Sequence, residues 1–250
     1  MSDNLDPVDR MLAQNGRRGV DQSWRSEAMS DEQAWDDKSR DELREQLRSA
    51  ILGELRLAKL GHEEILQNCT EVYIEDAPQS EREGFIQFSA DEIERTATQL
   101  ASERATWSDE TDCDRLDRVE NALRERGILL WQVSPCCDTC TRAELSDRIG
   151  VINERDPGFR DRARGYSFFI DQNLPESLAD NSHLDVYLAY GWVSPGNSEV
   201  APDVYQKNAI VIGREVCQYL RDEGFEVDWN GDLSRKIGIT LNWQRRTMLQ

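Results

Sequence analysis

From residue 128 onward short apolar runs alternate with longer amphipathic stretches, and this alternation restricts the chain to a sheet covered by helices. ILLWQV (128–133), GYSFFI (165–170) and LDVYLAYGW (184–192) have the length and β-branched or aromatic content of buried strands. FEVDW (225–229) and IGITLNW (237–243) complete the series. Between the first two, Leu145, Ile149 and Ile152 make a helical stripe that ends before Asp156-Pro157-Gly158. A short helix follows Asn173, and a long one runs from about Asp203 to Glu223 with Tyr205, Ala209, Ile212, Val216 and Leu220 on one face. The order β-α-β-α-β-α-β-β predicts an α+β domain with a mixed, roughly five-stranded sheet and packed helices.

Helices precede that sheet. In SRDELREQLRSAILGELRLAKLG the residues Leu43, Leu47, Ile51, Leu55 and Ala58 recur every three or four positions. Ser39 and Glu42 have capping-box spacing, and Gly61 suits the left-handed residue beyond the end. HEEILQNC forms a short second helix, and another long helix follows Ser89. Thr111 opens the next, with Asp112 and Asp114 in its first turn and Gly127 as its stop. Residues 1–38 show no sustained apolar period and read as a disordered acidic tail holding Trp24 and Trp35. The folded part is then 39–250, helical over about 39–127 and sheet-containing over about 128–246.

The last two strands specify their own register. Asn230-Gly231 invites a two-residue hairpin turn, but that pairing sets Trp229 and Val227 opposite Asp232 and Ser234. Directly opposed side chains share a face, so the apolar match requires Trp229 opposite Ile237, Val227 opposite Ile239 and Phe225 opposite Leu241. Residues 230–236 become the loop, projecting Arg235 and Lys236 to solvent.

Charge narrows the function classes. Forty-nine acidic against thirty basic side chains leave a formal charge of −19. Nucleic acid and anionic membrane surfaces need the opposite sign. A basic protein partner is the charged ligand such a surface admits. MSDNLDPVDRMLAQNGRRG lacks the apolar core of a secretory signal, and six sparse cysteines fit a reducing cytoplasm.

Trp107, Thr111-Asp112-Cys113-Asp114-Arg115-Leu116, Cys136-Cys137-x-x-Cys140, the Gly165-Tyr166 strand, Tyr187-Leu188-Ala189-Tyr190-Gly191, Trp229-x-Gly231 and Trp243-x-Arg245-Arg246 occur in that order. Over roughly residues 41–246 this pattern resembles an uncharacterised bacterial domain family, a domain of unknown function. The resemblance implies a shared fold and no activity. In that family a Gly often follows the third cysteine, where this chain has Thr141, and a His follows the Gly-Tyr strand, where it has Ile170. A site that used that His would be incomplete here.

WQVSPCCDTCTRAE (131–144) is the one place where chemistry-bearing residues cluster. Cys137 and Cys140 make one zinc-type pair, and Cys136 supplies a third thiolate. A fourth ligand would come from the isolated Cys113, Cys217, His183 or His62, so zinc is the metal this turn could hold. A redox dithiol is the second reading, because a helix N-terminus favours thiolate. Packing of small cysteines at a strand–helix junction is the plainest third. If the first three strands are parallel, their C-terminal ends place Asp171, Gln172, Tyr190 and Trp192 beside the cysteines as a ligand crevice. No phosphate-cradling Gly-rich loop, H-E-x-x-H or G-x-S-x-G is present, and there are two His. The sequence therefore leads to a non-enzymatic, acidic, cytoplasmic interaction domain of the immunity-protein kind. Metal or ligand binding, or thiol redox chemistry, at the turn is the alternative.

Overall fold

A computed structural model describes residues 35–135, 137–195 and 200–249. The chain divides into Met1–Arg40 and Asp41–Gln250. Of the expected tail, residues 1–34, Trp24 among them, lie outside the described residues, while Asp37 and Lys38 are helical. In the described part of the first unit, Asp36 Oδ1 accepts from both the backbone N–H and the hydroxyl of Ser39, each at 2.8 Å. Asp36 is therefore the cap, and helix α1, Asp37–Leu57, begins two residues before the expected Ser39. Asp has a fixed acceptor where Ser has a rotor, so the upstream carboxylate captures the free N–H groups.

The α1 stripe is buried as expected at Leu43, Leu47, Ile51 and Leu55. Its end differs. Ala58 takes the left-handed conformation at φ 57°, while Gly61 is extended at φ −75° and caps α2, His62–Asn68. The strain at Ala58 is held by tertiary contact, since its carbonyl accepts from Leu249 N at 2.8 Å. A π-helical turn, Cys69–Ile74, follows α2 directly. Helix α3, Gln79–Arg104, starts ten residues before the expected Ser89, which instead lies fully buried within it. Helix α4, Asp112–Glu125, has the expected cap: Thr111 and Asp114 satisfy each other's backbone N–H groups. Gly127, at φ 73°, ends it.

The second part is β1 Ile128–Ser134, α5 Asp138–Arg155, α6 Phe159–Arg162, β2 Gly165–Ile170, α7 Leu174–Asp180, β3 His183–Trp192, α8 Pro202–Asp222, β4 Val227–Asp228 and β5 Ile237–Asn242. These make a mixed five-stranded sheet of order β1-β2-β3-β5-β4, so the fold is α+β as the pattern requires. Strand β1 is parallel to β2; β2–β3, β3–β5 and β5–β4 are antiparallel. The register of the last hairpin is the apolar-matched one, with Val227 opposite Ile239.

Both sheet faces are used, unequally. One buries Leu130, Leu184, Val186, Leu188, Ile237 and Ile239 beneath α4 and α8. Helix α8 approaches closely at Gly213, where a Cβ would stand 2.8 Å from the Tyr190 ring. The other face buries Leu129, Tyr166, Phe168 and Ala189 against Ile149, Ile152 and Phe159 of α5 and α6. That cover stops partway along β3. Asp185 and Tyr187 stay exposed, and the register sets Thr240 and Gly238 opposite them.

Candidate functional site

The cysteine turn begins where β1 departs from regular geometry. Val133 has φ 51°, and the β1–β2 register shifts between Trp131 and Ser134. Beyond Pro135 the chain enters α5, an 18-residue helix with Cys137, extended at φ −133°, as its N-cap. Thr141 is fully buried, and its Oγ1 lies 3.0 Å from both Ser134 Oγ and Pro135 O. Ser134 Oγ in turn donates to Phe169 O. A glycine at position 141 would lack this anchor. Thr141 thus tightens the turn.

Cys137 Sγ and Cys140 Sγ stand 3.4 Å apart in the first turn of α5, and both residues are partly exposed. The other described cysteines are buried. Burial pushes the thiol of Cys113 up to about 12, and those of Cys69 and Cys217 up to about 11. Such thiols are protonated and inert at neutral pH. Asp138, next in the turn, is paired with Lys236 Nζ at 2.8 Å. Lys236 therefore crosses from the hairpin loop to the cysteine turn and does not project freely, whereas Arg235 pairs with Asp228 within the hairpin.

The expected ligand crevice does not assemble. Asp171 does reach the turn's end of the sheet, since its N–H donates to Ser134 O at 2.9 Å, but its carboxylate pairs with Lys59 Nζ at 2.5 Å. Gln172 is exposed beside it. Tyr190 and Trp192 lie elsewhere, because β3 runs antiparallel to β2 and Trp192 pairs with Gly165, at the start of β2. Tyr190 is buried, donating to Asp232 O at 2.9 Å with Trp229 edge-on to its ring. Trp192 borders a separate groove of about 740 Å³ with Arg142 and Arg160. Among the described residues no group of three or more His, Cys, Asp or Glu is arranged to hold a metal. Cys136, the third expected thiolate, lies outside them.

Residues 40–247 match the family described as Domain of unknown function (DUF6891). The chain belongs to that family. No curated protein and no solved structure matches it. Most of the motifs quoted from this DUF6891 chain's sequence have architectural work in the fold. Asp112 accepts from Asn242 N, Asp114 from Arg246, and Asp117, just past the motif, holds Arg245 through two bonds of 2.9 and 3.0 Å. Gly165 leaves room for Ile212, and Gly191 for the hydroxyls of Tyr166 and Tyr205. Against these, the CxxC pair of the DUF6891 chain is the motif that puts reactive atoms at a partly exposed position. Lys236 was not legible as its neighbour, since it arrives by tertiary contact with Asp138 from a distant sequence position.

Proposed function

We propose that the cysteine turn is a thiol–disulfide centre carried by an acidic domain that engages other proteins. The supporting observation is the 3.4 Å approach of Cys137 and Cys140 at the N-terminus of a long helix. The partial positive charge there favours a thiolate, and a closing movement of little more than 1 Å brings the sulfurs to disulfide distance. In the exchange, the Cys137 thiolate attacks one sulfur of a partner's disulfide. A mixed disulfide forms and one partner thiolate leaves. The Cys140 thiolate then attacks the Cys137 sulfur and releases the second partner thiolate. The two cysteines lose two electrons, the partner gains them, and the cysteine protons end on the partner's thiols. Such a pair cycles in a reducing cytoplasm, which is the compartment this reading assumes. Among the described residues no helix is long and apolar enough to cross a membrane.

The test is equilibration of the purified chain across a series of glutathione thiol and disulfide ratios, followed by intact mass and peptide mapping. A two-hydrogen loss mapping to Cys137–Cys140, absent in Cys137→Ser, is expected. Free thiols across the whole series, a bridge involving Cys136, or one equivalent of bound zinc protecting the thiols would each overturn the reading.

A basic partner has its own support. The uncovered face of β3, β5 and β4 sets exposed Tyr187, Asp185, Glu226 and Asp228 around a shallow trough of about 450 Å³. Carboxylates around an exposed aromatic ring suit arginine and lysine side chains. Pull-down with wild type and Tyr187→Ala at low and high salt should recover a basic protein that is lost in the variant and at high salt. Salt-insensitive recovery would remove the electrostatic basis.

A further inference from the structure

A cavity of about 280 Å³ opens between α1, the α2–π-helix segment and α7. Its size is near the lower end for small-molecule sites. Ala50, Ile65 and Pro175 supply apolar wall, Glu54, Tyr73 and Glu176 supply ionisable groups, and Gln46, Ser49 and Asn68 add neutral polar ones. The walls are fixed. Helix α7 sits so close to α1 that a Cβ on Gly53 would lie 2.0 Å from Pro175 O, and Arg56 donates to Leu178 O at 2.7 Å. The opposite wall is the π-helical turn Cys69–Ile74, a geometry that is rare in helices and frequent at binding sites.

The charges there are unbalanced. Burial raises the Glu54 carboxyl above the ordinary range; Lys59 opposes this, and Asp171 and Glu176 add to it. Lys59 is held by Asp171. Neither Glu54 nor Glu176 has a side-chain hydrogen bond to another described residue. The Tyr73 hydroxyl, whose ionisation is disfavoured by burial and then by Glu176, Cys69 and Glu54, has none either. Cys69 lines the same cavity as a protonated thiol.

We propose that this cavity binds a small organic cation, a protonated amine on a short apolar body. Its ammonium lies between Glu54 and Glu176, and its body lies against Ala50, Ile65, Pro175 and the Tyr73 ring. An anion would meet two carboxylates. A hard metal cation wants six or more converging oxygens, and among the described residues no group of three or more His, Cys, Asp or Glu is arranged to hold one. A neutral apolar ligand would desolvate the carboxylates without pairing them. An alkylammonium ion satisfies both halves of the site.

Butylammonium chloride is the probe, with butanol and sodium butyrate as neutral and anionic counterparts of similar length. Binding is followed by calorimetry and by amide shifts at Ile65 and Tyr73. The ammonium ion should bind about tenfold or more tighter than either counterpart, and Glu54→Gln and Glu176→Gln should each remove about that factor while leaving butanol unchanged. Thermal unfolding of each variant separates a lost site from a lost fold. Ala50→Leu, which keeps both carboxylates, closes the cavity by a second route and should also weaken binding. Equal affinity for the three probes, shifts away from Ile65 and Tyr73, or ammonium binding indifferent to all three variants would overturn the proposal. So would failure of the wild type to bind. None of these outcomes depends on the state of the cysteines.

Discussion

Gly127 and Gly231 both hold positive φ, at 73° and 84°, yet their surroundings differ. A Cβ on Gly231 would meet nothing within 4 Å, whereas one on Gly127 would lie 2.1 Å from Arg162 O. Alanine at 231 therefore incurs only the left-handed backbone cost, about 1–2 kcal/mol. Alanine at 127 adds a clash with a carbonyl that cannot move without displacing α6, so its cost exceeds that of the other substitution. Urea unfolding of the two variants measures the difference, and equal costs would show that the chain at 162 yields freely. The two glycines close different elements, but sequence marks both only as turn residues. The carbonyl that separates them comes from 35 residues downstream. The cysteine pair shows the same limit. Its helix N-terminus is legible from the strand-then-stripe pattern, while the sequence predicts Lys236 in solvent, because no local pattern connects a hairpin loop to α5.

At the scale of elements, the hairpin and the β2–β3 connection show what patterning does and does not carry. Register was legible because a one-residue slip exchanges the core and solvent faces, so only one pairing buries Ile237, Ile239 and Leu241 together. With Ile239 buried at 4% exposure in the core shared with α4 and α8, Ile239→Ala should destabilise by about 2–5 kcal/mol in chemical denaturation. A loss under about 1 kcal/mol would mean that the α8 face repacks. Strand direction in the middle of the sheet was not carried by periodicity, and the crevice expected from parallel strands failed with it. The connection lengths did contain the answer. Helix α5, with 18 residues, spans about 27 Å and can return along β1 to start a parallel neighbour. Helix α7, with seven, spans about 10 Å, too short to return along strands of about 20–33 Å. Strand β3 must therefore start at the end where β2 stops, which sends Tyr190 and Trp192 away from Asp171. Helix termini show the complementary failure: Asp36 displaced Ser39 as cap, and Ala58 took the left-handed position expected of Gly61.

Over the whole of the second unit, the C-terminal segment ties the helical part to the sheet. Trp243 N–H donates to Ser182 O, its indole donates to Arg56 O, and Leu249 N–H donates to Ala58 O. Arg245 is 3% exposed, pairs with Asp117 on α4, and donates to Gln132 on β1. Arg246 reaches Asp114 and the Ser108 carbonyl. One short segment thus touches α1, α4, β1 and the turn before β3, so its loss should be felt as loss of cooperativity as well as of stability. The buried guanidinium makes the effect asymmetric. Asp117→Ala leaves Arg245 charged and buried with only Gln132 to receive it, at a cost of about 3–5 kcal/mol. Arg245→Met removes the charge along with the pair, so Gln132 and Asp117 retain each other, and the cost should be smaller. Unfolding followed by tryptophan fluorescence and by far-ultraviolet dichroism tests both parts of the argument. Coincident transitions in Arg245→Met, with Asp117→Ala the weaker of the two, fit a tie whose strength lies in packing and in compensated charge. Should Arg245→Met prove the more damaging, the ion pair itself would be the bond that holds the two parts together.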